Sequence, residues 1–215
     1  MIGWNTPRMG WIKAAIAIFL WVQLSAPARA GGGALGIDHR LPLDDTGVWK
    51  QTNERALRYL LVGGTLGIAA WEGGDGRLGQ TAWKSLDATL SGVVAVTLAK
   101  KAFSRTRPRD GDDPDRWFEG SGNESFPSGA VTTVTAVITP YLMQYHRDTP
   151  AVWTLAILPV YTGVARMKAQ AHWQTDVLAG VTLGGALGYY AHSRDSSFML
   201  QVLPGGVMVG LKKRF

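Results

Sequence analysis

An all-α fold, a bundle of about five core helices followed by a short C-terminal β-hairpin, is what this sequence predicts, and three observations predict it. Hydrophobic residues make up 46% and charged residues 18% of 215 positions, enough to bury one sizeable core and too apolar for a disordered chain. Five apolar segments, at 57–71, 86–99, 131–145, 152–165 and 177–191, each run about 14 to 16 residues, long for strands and right for helices. The chain has no cysteine, which excludes disulfides, thiol nucleophiles and Cys-ligated metals together.

Taken in order, residues 1–30 read as a targeting segment. Arg8 and Lys13 precede an apolar run at 14–24, and Ala28, Arg29 and Ala30 lead into three glycines. A positive start, a short apolar middle and small residues at −3 and −1 describe a secretory signal cleaved after Ala30, placing the protein in the periplasm or outside the cell. The alternative is a retained first membrane helix of a polytopic inner-membrane protein, although the run is about half the ~20 residues a span needs. Residues 31–55, with Pro42, Asp44 and Asp45, form an irregular N-terminal arm, and 56–195 form the helical domain. Gly63, Gly64, Gly163, Gly184 and Gly185 allow close helix approach, while Pro140 and Pro159 are expected to kink their helices. The tail, 196–215, alternates around Pro204, Gly205 and Gly206 and reads as two short strands and a tight turn.

Between Arg58 and Glu72 lie 13 residues, and between Asp87 and Lys100 only 12. Both fall short of a span, so the bundle reads as water-soluble or associated with a membrane surface. Trp71, Trp83, Trp153 and Trp173 near segment ends suit an interfacial belt, and equally a packed core. Mean hydropathy is +0.02, between the soluble and lipid-embedded classes. The formal charge is +6. Outside the first 30 residues 19 basic face 16 acidic side chains, no nucleic-acid signature but compatible with an anionic substrate.

Three stretches at helix ends carry the chemistry. The first runs from Lys100 to Pro108. Pro108 disfavours helix at Arg107, so an ammonium at a helix end and a guanidinium in the next loop become available to phosphate oxygens. The second runs from Ser125 through Pro127, Ser128 and Gly129 to Ala130: Ser128 suits an N-cap, and free amides at a helix start favour anions. The third runs from Arg166 through His172 to Asp176. His172 and Asp176 share a face if helix continues through both, so the carboxylate would fix the imidazole tautomer and free the other nitrogen to attack phosphorus. No second histidine stands at ligand spacing from His172, which argues against a metal site.

The ordered pattern K-x6-R-P, P-S-G and R-x5-H-x3-D, from Lys100 to Asp176, resembles the type 2 phosphatidic acid phosphatase and vanadium haloperoxidase superfamily. The resemblance implies that Lys100, Arg107, Ser128, Gly129 and Arg166 bind phosphate, that His172 becomes phosphohistidine assisted by Asp176, and that hydrolysis needs no metal or other cofactor. Vanadate would bind as a phosphate mimic. The implied partner is a phosphate or diphosphate ester, lipid-linked substrates being favoured; the oligomeric state stays open. Two positions depart from the pattern: Ala165 replaces a serine, and Ala130 stands where the family has the histidine that protonates the leaving group. Ala130 leaves three readings: an inactivated chain that only binds phosphate or a lipid headgroup, a proton from Glu124 or water, or a leaving group that needs none. A vanadate-dependent haloperoxidase ranks last, because it relies on the same missing histidine. The acidic loop 109–124, with Trp117 and Phe118, is a candidate lid over an apolar tail.

Overall fold

The computed structural model describes residues 32, 33, 35–195 and 197, so the expected signal segment and the body of the C-terminal hairpin lie outside the described residues. Within them are five α-helices: α1 Gln51–Glu72, α2 Arg77–Phe103, α3 Gly129–Tyr145, α4 Ile157–Lys168 and α5 Gln174–Ser193. Each expected segment is helical, and the helices reach beyond the apolar runs because charged residues are tolerated at their ends. Arg77 opens α2 by donating to the Gln144 carbonyl and pairing with Asp148. At the start of α1, Asp45 accepts a hydrogen bond from the Gln51 amide at 2.5 Å, supplying from outside the helix the cap that Lys50 does not provide.

One proline expectation changes. The fourth segment opens as a 3-10 stretch, Pro150–Ala156, before α4 begins. Pro159 is therefore in the first turn of α4, where an amide has no intrahelical partner to lose, and it breaks nothing. Pro140 lies inside α3, which runs through it.

The core is built from small side chains. Val131, Val164, Met167 and Val177 form its centre beneath Leu41 and Trp49 of the arm, and Ala88, Ala136 and Ala191 join α2, α3 and α5. The seam between α3 and α5 is the closest. A Cβ at Gly184 would lie 2.5 Å from the Thr132 carbonyl oxygen, and one at Gly188 would lie 2.5 Å from Thr139 Cβ. Gly63 and Gly64 have nothing within 4 Å of a built Cβ, so the close approach expected there is absent. The tryptophans divide: Trp173 is buried, while Trp71 is 89% exposed.

Leu90, Val93, Val94 and Leu98 form an exposed apolar stripe along α2, and Tyr59, Leu60, Leu66 and Trp71 are exposed on α1. No helix among the described residues is long and apolar enough to cross a membrane. A surface cavity of about 330 Å³ lies among Arg77, His146, Arg147, Asp148 and His192, at the opposite end of the bundle from the three motifs. Two of its basic groups satisfy helix-end carbonyls: Arg77 donates to that of Gln144 and the His146 ring bonds that of Met143.

Candidate active site

The C-terminus of α2, the N-terminus of α3, the C-terminus of α4 and the entry to α5 meet at one end of the bundle, bringing the three motifs together. The short chain 124–128 laces them. Lys100 Nζ donates to the Glu124 carbonyl at 2.6 Å, and Arg107 Nη2 donates to the same oxygen at 3.2 Å. The Ser125 amide donates to the Arg105 carbonyl, and the Ser128 amide to that of Asp176 at 3.0 Å. α2 stops because Ser104 turns left-handed at φ 38°, its amide closing on the Lys100 carbonyl. That turn sends Arg107 back toward Lys100.

Three cations gather here, and among the described residues only Arg166 has a carboxylate within 4 Å, that of Glu54. Lys100 is lowered to about 8 by burial, then by Arg107 and Arg166. Arg166 is lowered to about 10 by burial, with Glu54 opposing and Arg107 adding to the effect. Arg107 is lowered as well, by burial and then Arg109. Arg166 is only loosely held: Glu54 Oε2 is 3.8 Å and Gln51 Oε1 3.5 Å from its Nη1, and its Nε is buried with no hydrogen-bond partner. Ser128 occupies the N-cap of α3, yet its side chain makes no capping bond and its Oγ is likewise buried without a partner. Unpartnered buried donors beside confined positive charge are costly in an isolated protein and suited to an oxyanion. Gly129 packs close: a Cβ there would lie 3.2 Å from Val96 Cγ1 and 3.9 Å from Lys100 Cε. Ala130 is buried in the first turn of α3.

His172 differs from expectation. α5 starts at Gln174, so His172 precedes the helix and does not share a helical face with Asp176. Its Nδ1 lies 2.7 Å from the Ser125 carbonyl and 3.8 Å from Asp176 Oδ2. A carbonyl only accepts, so Nδ1 carries the proton and Nε2 keeps its lone pair. The tautomer is thus set by Ser125, and Asp176 acts on the ring through charge. Burial lowers His172 to about 4, with Asp176 opposing and Arg166 and Lys100 adding to the effect; the ring is neutral at pH 7. Asp176 sits in the first turn of α5, where Oδ2 caps the Trp173 amide at 2.8 Å and accepts from Ser125 Oγ at 2.5 Å. Burial pushes its carboxyl up, but His172, Arg105 and the Ser125 hydroxyl outweigh that and hold it low.

Arg105, Asp38 and Glu54 have no signal of their own in the sequence, and Ser125, which opens the second stretch, has no role assigned there. Arg105 sits inside the first motif and looked like spacer, and Asp38 lies in an arm without periodicity. Only the folded chain brings either to Asp176. The loop 109–124 is tied down: the amides of Thr106, Phe118 and Glu119 bond the carbonyls of Arg116, Phe103 and Ser104. Its aromatics pack on the end of α2, with Trp117 5.2 Å from Phe126 and 6.0 Å from Phe103 between centroids. Phe118 remains 71% exposed. Among the described residues no group of three or more His, Asp or Glu side chains is placed to hold a metal ion.

Residues 81–197, which include all three motifs and the four helix ends that carry them, match the PAP2 superfamily. The chain belongs to the PAP2 superfamily. It is 32% identical over 102 residues to the lipid A 1-phosphatase of Porphyromonas gingivalis, covering 44% of this chain and 20% of that protein. It is 36% identical over 101 residues to the lipid A 1-phosphatase of Rhizobium etli, covering 45% and 42%. The chain thus spans less than half the length of these curated relatives. A solved structure titled as the first transmembrane PAP2 type phosphatidylglycerolphosphate phosphatase from Bacillus subtilis aligns over 86% of this chain and 85% of that one, at 17% identity and a TM-score of 0.48.

Proposed function

We propose that this PAP2 member is a phosphatase that hydrolyses phosphate or diphosphate esters, lipid-linked ones favoured, through a phosphohistidine at His172. The observation that carries the reading is the pocket of cations, Lys100, Arg107 and Arg166, beside a neutral imidazole whose Nε2 is not the atom bonded to Ser125. Lys100, Arg107, Arg166, Ser128 Oγ and the first amides of α3 would hold the phosphate oxygens. Nε2 donates its lone pair to phosphorus, the bond from phosphorus to the ester oxygen breaks, and that oxygen leaves with the electron pair. The ring becomes cationic as the new bond forms, and Asp176 stabilises it through charge. Water then attacks the phosphohistidine, releasing phosphate and returning the ring to its neutral form.

Ala130 bears on the leaving group. General acid catalysis is typically worth 10²–10⁴, roughly 3 to 5 kcal/mol. An alkoxide needs that proton, whereas a phosphate released from a diphosphate has a pKa of about 6 and does not. The exposed Phe118 and half-exposed Phe103, next to Lys100, support an apolar group on the substrate, and the names of the curated relatives support a lipid phosphate. Export after cleavage at Ala30 is the localisation favoured, with a membrane-embedded chain as the alternative; N-terminal sequencing of the mature protein decides between them. The second reading, a phosphate- or headgroup-binding protein without turnover, is favoured by Ala130 itself. Wild type and His172→Ala assayed on lipid diphosphates, lipid monophosphates and a soluble aryl phosphate separate the two. Turnover lost with His172 supports the enzyme, and binding of all three with no turnover in the wild type supports the alternative.

A further inference from the structure

Arg105 has no part in holding phosphate in the scheme above, yet its guanidinium is fully buried and all five of its N–H donors are used. Nη1 donates to Asp176 Oδ1 at 2.7 Å and Thr175 Oγ1 at 2.8 Å. Nη2 donates to Asp38 Oδ2 at 2.6 Å and to the Pro114 carbonyl, which also accepts from Nε at 3.0 Å. The plane stacks on Trp117, 4.3 Å from Cζ to the ring centroid. Asp38 reaches this point from the N-terminal arm and is fixed by the Thr175 amide at 2.8 Å and hydroxyl at 2.6 Å. A rigid fork of this kind dictates where both carboxylates sit.

The consequence falls on His172. Asp176 has Oδ1 on Arg105 and Oδ2 on the Ser125 hydroxyl and the Trp173 amide. Its nearer oxygen stays 3.8 Å from the ring, too far for a hydrogen bond. We infer that Arg105 is a positioning residue for His172: it holds the Asp176 carboxylate against itself and Asp38, keeps it off the ring, and leaves the Ser125 carbonyl to decide which nitrogen faces the phosphate cradle. The charged groups around the ring are Lys100 of α2, Arg166 of α4 and Asp176 of α5, with Arg105 and Arg107 acting on Asp176. Asp176 alone favours the imidazolium, so Arg105 sets how much of that charge the ring experiences. The use of the freed nitrogen rests on the proposed function; the geometry does not.

The test is a substrate-free NMR titration of ¹⁵N-histidine-labelled full chain, with the His172 signals assigned by their loss in His172→Ala. The wild-type ring is expected to titrate well below a free imidazole, with the proton on Nδ1. In Arg105→Gln its midpoint should rise by about 1 to 3 pH units, the effect of a carboxylate brought within hydrogen-bonding reach. Arg105→Lys, which keeps the charge but not the fork, should give an intermediate rise of more than about 0.5 unit. In an Asp176→Asn background either substitution should move the midpoint by less than about 0.5 unit, because the effect is routed through that carboxylate. An unchanged midpoint in Arg105→Lys, or equal rises with and without Asp176, overturns the inference. Arg105→Lys carries the test if Arg105→Gln does not fold. Adding inorganic phosphate to the same samples reads the cradle separately: a ring that ignores phosphate but responds to Arg105→Lys refutes the proposed function and leaves the positioning role standing.

Discussion

Replacing Gly184 by alanine probes the seam on which the site is built. The added Cβ would lie 2.5 Å from the Thr132 carbonyl oxygen and 2.8 Å from Thr135 Cβ, where ordinary contact begins at 3.4 Å. The nearest atom is backbone and does not rotate away, so α3 and α5 must separate by roughly 0.9 Å or strain in place. Overpacking of this kind costs about 1–3 kcal/mol, and the better helix propensity of alanine returns about 1 kcal/mol. The net loss is therefore up to about 2 kcal/mol. Gly64→Ala in α1 is the control: nothing lies within 4 Å of its Cβ, so it keeps the propensity gain of about 0.5–1 kcal/mol. Urea midpoints followed by circular dichroism should rank Gly64→Ala above wild type and wild type above Gly184→Ala. A Gly184→Ala midpoint equal to or above that of Gly64→Ala would refute the packing argument. α3 carries Ser128 and α5 follows His172, so a 1 Å displacement should also cost Gly184→Ala on the order of 10²-fold in activity.

Phosphate affinity should fall as pH rises above about 8, where Lys100 loses its proton; titration calorimetry with inorganic phosphate should show that limb in wild type and a flatter one in Lys100→Arg, and identical profiles would count against Lys100 as a ligand. His172 is neutral in the folded chain down to about pH 4, while in the unfolded chain it takes up its proton from about pH 6.5 downward. Stability should therefore drop as pH falls through that window, by at most about 3 kcal/mol from this residue, and His172→Gln should remove that share of the slope in urea unfolding; parallel curves would contradict it. Ala130→His should raise turnover of an alkyl phosphate by about 10²-fold or more and that of a prenyl diphosphate by less, and equal gains would sink the leaving-group argument.

Helix-length apolar runs survived translation into structure because a bundle of small side chains needs little more than periodicity, and all five runs are helical. Helix ends were less legible. The second apolar run begins at 86, but α2 starts nine residues earlier at Arg77, which a hydrogen bond to the distant Gln144 carbonyl holds in place. The motif residues converge as their order suggested: Lys100 and Arg107 share one carbonyl, and His172 and Asp176 lie beside Ser125. What the sequence did not reveal is who holds whom. The carbonyl that orients His172 comes from Ser125, 47 positions away, and the arginine that holds Asp176 sits in a motif spacer. Both are tertiary facts with no local signature. Ser128 shows the converse: it occupies the expected N-cap, but its hydroxyl does not cap.

The most direct test of a phosphohistidine at His172 is to catch it. Wild type and His172→Ala are mixed with a lipid diphosphate, quenched into base, where phosphohistidine survives, and digested for peptide mass spectrometry. The wild type is expected to carry a phosphoryl group on the peptide containing His172, formed no more slowly than phosphate is released, and His172→Ala to show no turnover. Turnover that persists in His172→Ala, or a wild type that releases phosphate without any phosphoryl group on that peptide, would contradict a phosphohistidine at His172.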